Sequence, residues 1–434
     1  MHFHLTQPAA LWLLSILIFL CAIFQYLQWR LLGSAITARI GAFNASPFLR
    51  DIAAEAECLA DSVECTPHLL VVIPAHNEEL LIGRAVSALQ SSTVKHTQFR
   101  IVVAADNCTD RTAAIAKAAG CDVAIRTDAG RVGKSWLLHD VFESLLNPES
   151  VAPVELPAGL NYYPWDAAVI VDADCIVHPA MLERFAVRIQ DGETAIQGCY
   201  SILNPEASWR TRLMCCALAL VHYIKPLGRE RLGLSETLKG SGMCLHRSVL
   251  QSVKWDGNAL TEDLEYSLQL AEKGFRVAFD PRALLWAEMP ATAGAAVRQR
   301  RRWEAGRFRL ISRAPQLYRM GLYCKDNRLK DRALDLLTPG LAELTALNLL
   351  VAGLSAAASL RWPTDGTQAA FGASFSLLLL HGMYVLMGLK TAGIPRTISR
   401  ALLFAPAYIL WKLAVKLTVL VFKPVTAWQR TDRE

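Results

Sequence analysis

Asp172 and Asp174 flank a single alanine in "VIVDADCIVHP" (169–179), behind four apolar residues that read as a strand buried on both faces. Alternate residues of an extended chain point the same way, so the two carboxylates are expected side by side at the strand end. Like charges held together repel unless a cation lies between them. A hard divalent ion suits, because Mg²⁺ takes one or two carboxylates and completes its shell with substrate phosphates. The pair alone is weak, since D-x-D also falls on exposed turns. Downstream, Thr261, Glu262 and Asp263 open an amphipathic helix. The bland reading is capping, with Thr261 as N-cap and the acids complementing the helix dipole. The chemical reading makes Asp263 a general base that takes a proton from an attacking hydroxyl. A third group, "VRQRRRWEAGR" (297–307), is either a basic patch against anionic headgroups or a Q-x-x-R-W arrangement. In the latter, Gln299 and Arg302 face a diphosphate, which Arg holds bidentately, and Trp303 offers a flat apolar face to a sugar.

These residues need a frame. "HLLVVIP" (68–74), "FRIVVAAD" (99–106) and "AAVIVDAD" (167–174) are β-type runs, each followed by a helical pattern. Alternation of this kind predicts an α/β domain with a mostly parallel sheet covered on both faces. Ligands bind such sheets beyond the carboxyl ends of the strands, where "PAHNEE", "ADNCTD" and "DADC" stand. The stretch 147–164 reads as a loop before the acidic strand.

The chain of 434 residues is 53% hydrophobic, too apolar for an ordinary soluble protein, yet 19% charged, too polar for a pure membrane bundle. A soluble domain joined to transmembrane segments satisfies both. The net charge of +6 is spread along the chain and excludes nucleic acid as the expected partner. The 11 cysteines lack C-x-x-C spacing, which reads as reduced thiols in the cytosol. Residues 9–29 form an uncharged apolar stretch of bilayer length, and Arg30 and Arg39 place its end in the cytoplasm. Further spans are predicted at 338–360 and 369–389, with Lys390, Arg396 and Arg400 again cytoplasmic. Glu343 is expected at the interface. The stretch 401–422 carries Lys412 and Lys416 one turn apart: either it spans with these lysines facing protein or a lipid phosphate, or it lies in the interface with them in water, with spanning favoured and snorkelling preferred over a lipid phosphate. "LMCCALALVHY" (213–223) is too short to span. The division expected is an anchor (1–35), a linker or amphipathic segment (36–67), a catalytic domain (68–310), an interface segment (311–337), a membrane region (338–422) and a tail (423–434).

Taken together and in this order, "PAHNEE", "ADNCTD", "VDADC", "LTEDLE" and "QRRRW" resemble the membrane-embedded family 2 glycosyltransferases over residues 68–310. That group includes cellulose, chitin and hyaluronan synthases and ceramide glucosyltransferase. The resemblance implies a GT-A fold, a UDP-sugar donor, Mg²⁺ or Mn²⁺, and inversion to a β-linkage by direct displacement. It implies that Pro74, Asn77 and Glu78 line a nucleotide pocket and that Asp106 meets the uracil or ribose. Arg131 and Lys134 of "GRVGKSW" would approach the diphosphate. Asp172 and Asp174 would hold the metal, and Asp263 would be the base. Glu262, Gln299, Arg302 and Trp303 would close over acceptor and diphosphate. Ser241 and Gly242 of "KGSGMCLHR" would lie beside the donor sugar, though tight packing alone also demands small residues. Polymer synthases of the group carry more spans, so single addition to a lipid or glycan acceptor at the inner membrane is expected, with the catalytic domain cytoplasmic. Processive synthesis of a β-linked polysaccharide, with export or polymerisation partner proteins, is the runner-up. A membrane-tethered nucleotidyltransferase would need a glycine-rich phosphate loop after the first strand, and "PAHNEELLIGR" is not one. A non-catalytic scaffold would carry a degenerate acidic set.

Overall fold

The computed structural model describes residues 7–39, 67–95, 97–147, 149, 153–259, 261–289 and 293–421. The expected 36–67 linker beyond residue 39, and the 423–434 tail, lie outside the described residues.

Among the described residues nine strands form one sheet: β1 (His68–Ala75), β2 (Gln98–Asp106), β3 (Asp122–Arg126), β4 (Val154–Glu155), β5 (Ala167–Ile170), β6 (Cys175–Val177), β7 (Ala195–Ile202), β8 (Met243–His246) and β9 (Val277–Ala287). Their order is β4-β3-β2-β1-β5-β8-β7-β9-β6. β3, β2, β1 and β5 run parallel, as do β7 and β9, while β4, β8 and β6 are antiparallel insertions. The α/β expectation holds, with a mixed second half. Alternation along β1 sends Leu69, Val71 and Ile73 into one core and Leu70 and Val72 into the other. All five are fully buried, each contributing about 1.5–3 kcal/mol. Two-faced burial is why these runs read as continuously apolar.

The register shapes the site. Ala75 pairs with Ala105 and Asp106 with Arg126, so β1, β2 and β3 end on one line. β5 stops at Ile170, opposite Val72, and so leaves a notch beside the end of β1. Pro74 falls beyond the last pairing with β5, on the side where a missing N–H removes no ladder bond.

Four helices among the described residues are long and apolar enough to cross a membrane: Gln7–Ala38, Leu341–Arg361, Asp365–Thr391 and Arg396–Thr418. Here they are called the first to fourth spans. A helical rod over residues 209–231, with a π-turn at Ala219–Ile224, sits between them and the sheet. It packs closely: a Cβ on Gly228 would come within 2.2 Å of the Leu31 carbonyl oxygen of the first span. A Cβ on Gly388 of the third span would meet Leu220 at 2.3 Å.

The fourth span chooses among the readings of its lysines, in favour of lysines that face protein. Lys412 Nζ lies 2.8 Å from Glu343 Oε2 and 3.8 Å from Glu304 Oε1. Lys416 Nζ lies 3.4 Å from Glu343 and 3.8 Å from Glu304. The lysines therefore neither snorkel nor await a lipid phosphate; carboxylates of the same chain neutralise them. Glu343, in the first turn of the second span, belongs to this cluster.

Candidate active site

The loops beyond β1, β2 and β3 are tied in series by two asparagines in the left-handed region, Asn77 (φ 55°) and Asn107 (φ 48°). Asparagine tolerates this conformation and its amide reaches neighbouring backbone. Asn77 Oδ1 accepts from the Thr109 N–H at 2.8 Å, and Asn107 Oδ1 accepts from the Asp128 N–H at 2.9 Å. Thr112 Oγ1 in turn accepts from the Glu78 N–H at 2.8 Å.

Beneath these loops lies a buried cation. The Arg126 guanidinium donates to Asp106 Oδ1 at 2.8 Å, Asp140 Oδ2 at 2.7 Å and the Arg131 carbonyl at 2.7 Å. The other Asp106 oxygen accepts from the Gly133 N–H at 3.2 Å. Asp106 thus turns inward, and its carboxylate shapes the 127–133 loop. Arg131 Nε meets Asp128 Oδ2 at 2.7 Å, with its guanidinium stacked 4.9 Å over Trp136.

Lys134 opens the next helix, Lys134–Leu146, and reaches into the notch left by β5. Its ammonium donates to Asp172 Oδ1 at 2.5 Å and the Gly240 carbonyl at 2.6 Å, and lies 3.7 Å from Glu262 Oε1. Gly240 has φ +81°, and a Cβ there would sit 3.5 Å from Asp263 Oδ2 and 3.7 Å from Lys134 Nζ. The carboxylates of 172, 262 and 263 thus share one cleft around a lysine, and all three hold that ammonium in its charged form.

The aspartate pair departs from the expected geometry. β5 ends at Ile170, and Ala173 and Asp174 form a turn closed by the Cys175 N–H on the Asp172 carbonyl at 3.0 Å. Period-two alternation does not apply in a turn. Asp172 keeps its carboxylate 34% exposed while Asp174 is buried. The Ser241 hydroxyl accepts from the Asp172 N–H at 3.0 Å, which fixes the turn against the 239–247 segment. Gly242 is small because of packing: a Cβ there would meet Leu285 at 2.4 Å. No group of three His, Cys, Asp or Glu side chains among the described residues makes a metal cage. Asp172, whose carboxylate opens to the cleft, suits a cation that takes one or two carboxylates and its other ligands from a diphosphate, with Asp174 two residues away.

Asp263 lies in the first turn of the helix Glu262–Glu272. Thr261 occupies the N-cap position and Glu262, Asp263 and Glu265 stand in the first turn, as the capping reading expects, but the Thr261 hydroxyl makes no cap bond. The reason is steric: the helix Ala293–Ile311 presses there, and a Cβ on its Gly306 would lie 2.2 Å from Thr261 Cγ2. Instead Asp263 Oδ1 accepts from the Leu264 N–H at 2.8 Å. Burial first, then the Glu262 carboxylate, push the Asp263 pKa up to about 6, against the pull of Lys134 and Arg302. Arg300 stacks 5.6 Å over Trp303 and donates to the Tyr408 hydroxyl at 2.9 Å. Gln299 is on the same helix, and its side chain is outside the described residues.

Asp263 also borders a cavity of about 770 Å³ whose lining includes neither Asp172 nor Lys134. Asp263, Thr261 and Trp303 line it, and so do Leu31, Val385 and Ile409 of the spans. The sequence did not single out Arg126, Asn107, Asp128 or Asp140. A lone arginine inside the strand run "DVAIR" was the signal available for the first.

Comparison with known proteins follows this geometry. Residues 67–306 match the family model described as "Glycosyltransferase like family 2". The chain is 25% identical over 247 residues to a probable glycosyltransferase, YdaM, of Bacillus subtilis, covering 55% of each chain. It is 26% identical over 294 residues to a beta-monoglucosyldiacylglycerol synthase of Synechocystis, covering 65% of this chain and 56% of that one. It spans about half the length of these relatives. A mannosyltransferase of Pyrobaculum calidifontis, solved with GDP-Man and Mn²⁺, superposes with a TM-score of 0.51 at 15% identity, over 94% of this chain and 99% of that one. At that identity the likeness speaks for the fold, which is GT-A.

Proposed function

The chain belongs to the family 2 glycosyltransferases, and from that premise we propose that it moves a sugar from a UDP-sugar to a hydroxyl of a membrane-associated acceptor with inversion. The acceptor oxygen attacks the anomeric carbon as the bond from that carbon to the diphosphate oxygen breaks. The bonding pair leaves with UDP, and Asp263 takes the hydroxyl proton. The observation that supports this reading is that Asp263 shares a cleft with Lys134 and Asp172 and also borders the cavity. A carboxylate with a pKa near 6 is ionised at neutral pH, yet basic enough to accept a proton as the hydroxyl attacks.

Asp172 and Asp174 are the residues to hold Mg²⁺ or Mn²⁺, which would supply charge neutralisation for the diphosphate. Lys134 then moves its ammonium from Asp172 to the phosphates, a short swing within one cleft. Arg302, which already acts electrostatically on Asp263, faces the leaving group, and Trp303 faces the acceptor. Pro74, Asn77 and Glu78 line the nucleotide side, and Asp106 serves it by holding the 127–133 loop in shape. The catalytic domain is cytoplasmic and the chain resides in the inner membrane.

The test is nucleotide release from a panel of UDP-Glc, UDP-GlcNAc, UDP-Gal, UDP-GlcA and GDP-Man in native membranes. Release with a UDP-sugar, loss with chelator and loss in Asp263→Asn are expected. A variant as active as wild type removes the base, and release from GDP-Man alone removes the donor assignment.

A further inference from the structure

The cavity behind Asp263 has walls of two kinds. Toward the spans they are apolar: Leu31 of the first, Val385 of the third and Ile409 of the fourth, with Leu213 and Leu220 of the 209–231 rod. Toward the catalytic domain they carry charge that the chain itself engages: each wall carboxylate other than Asp263 meets a cation, Arg300 donates to the Tyr408 hydroxyl and Arg307 to the Thr338 carbonyl. Glu236 lies 3.0 Å from Lys239, and Asp331 and Asp335 lie 3.0 and 3.1 Å from Arg229. Glu304 lies 3.8 Å from Lys412. At about 770 Å³ the space has the size of a site for an organic ligand, which runs from about 300 to 1,000 Å³.

The cavity also has a side door. Val221 of the rod is 38% exposed and Leu386 of the third span 61% exposed, and both line the space. Between them Gly382 lines it too, exposed, and a Cβ added there meets nothing within 4 Å. Gly382 and Leu386 stand on a helix long and apolar enough to cross a membrane, and an exposed position within such a span meets hydrocarbon, which is the direction of entry inferred below. Asp263 adds a chemical constraint. A base has work to do only on an acceptor that still carries its proton, which is an alcohol; a phosphate acceptor is already ionised.

We propose that this cavity seats the acceptor, and that the acceptor is an uncharged lipid alcohol entering sideways from the bilayer at Gly382. The inference rests on the glycosyl-transfer reading above and names its second substrate. The chain of the lipid lies against the spans, and its hydroxyl reaches Asp263 opposite the donor cleft.

The experiment uses the full-length protein in nanodiscs and a diacylglycerol with a photoreactive diazirine in one acyl chain. Irradiation is expected to label peptides covering 213–221 and 378–386, with loss of label under excess unlabelled diacylglycerol. Gly382→Trp, which fills the door, is expected to cut the label and raise the acceptor KM at least tenfold while UDP binding by calorimetry is unchanged. Gly372→Trp, exposed on the same span outside the cavity lining, is expected to match wild type and guards against a folding defect. Label confined to the outward residues Leu349, Leu350 and Phe375, or undiminished in Gly382→Trp, overturns the proposal. Label from a polyprenyl phosphate probe in place of diacylglycerol overturns the uncharged head. A protein that transfers sugar to a water-soluble glycan and holds no lipid probe fails here while the transfer reading stands. A protein that holds the probe and releases nucleotide from no donor fails in the transfer reading instead.

Discussion

At the scale of single residues, the acidic cleft sets the reaction's pH dependence. Asp263 must be ionised to accept a proton, so kcat/KM is expected to fall as pH drops below about 6, with one proton taken up. Glu262 is the second cause of the raised pKa. Glu262→Gln removes a like charge, so the acid limb is expected to move to lower pH; a limb that stays or rises contradicts the assignment. Asp263→Asn is expected to lower kcat by about 10²–10⁴ with donor binding retained. Arg126 has a different character, since it is fully buried between Asp106 and Asp140. Arg126→Leu strands both carboxylates and is expected to cost about 3–5 kcal/mol, read as a lowered melting temperature. The contrast explains what could be read from sequence. Asp172, Lys134, Glu262 and Asp263 stand in short segments whose chemistry is visible in residue type, and the structure gathers them into one cleft. Arg126 and Asn107 act through partners on other loops, and those pairings exist only once β2 and β3 are in register.

At the scale of elements, the helix Ala293–Ile311 links the cleft to the membrane. Arg300, Trp303, Glu304 and Arg307 follow helical spacing and all line the cavity, so one face of the helix serves the site. That face is pinned from the membrane side. Arg300 binds Tyr408, Arg307 binds the Thr338 carbonyl, and Glu304 meets Lys412 and Lys416, which also hold Glu343. Glu304→Gln loosens this pin without touching the donor cleft. It is expected to raise the acceptor KM about tenfold and leave UDP binding unchanged, whereas equal losses in both point to a general folding defect. Lys412→Met leaves two carboxylates with one lysine and is expected to lower the melting temperature, with Lys412→Arg restoring most of it. Sequence periodicity identified the strands and spans because each is a local pattern. It ran the strand too far into the D-x-D turn and left the partner of Lys412 open, because a strand's end and a buried charge's partner are decided by neighbours distant in the chain.

At the scale of the whole molecule, three contacts fix which ends of the spans face the catalytic domain. Arg30, at the end of the first span, binds Asp331 at 2.6 Å, just before the second. Gly228 of the rod abuts Leu31, and Leu220 abuts Gly388 near the end of the third span. The domain side therefore collects Arg30, Lys390, Arg396 and Arg400, while the turn between the second and third spans offers Arg361 beside Asp365. Basic residues mark the cytoplasmic face of a bilayer, so the catalytic domain is expected there, where nucleotide sugars are made. Cysteine chemistry tests this directly. Cys324, in the segment between the catalytic helix and the second span, is the exposed cysteine among the described residues. In a background with Cys58 and Cys65 replaced by Ser, a membrane-impermeant maleimide is expected to label Cys324 in inverted vesicles and not in intact cells. Pro363→Cys, placed in the turn between the second and third spans, is expected to show the opposite pattern. If Cys324 is labelled from outside and the turn from inside, the domain stands on the other face of the membrane and the donor must reach it by another route.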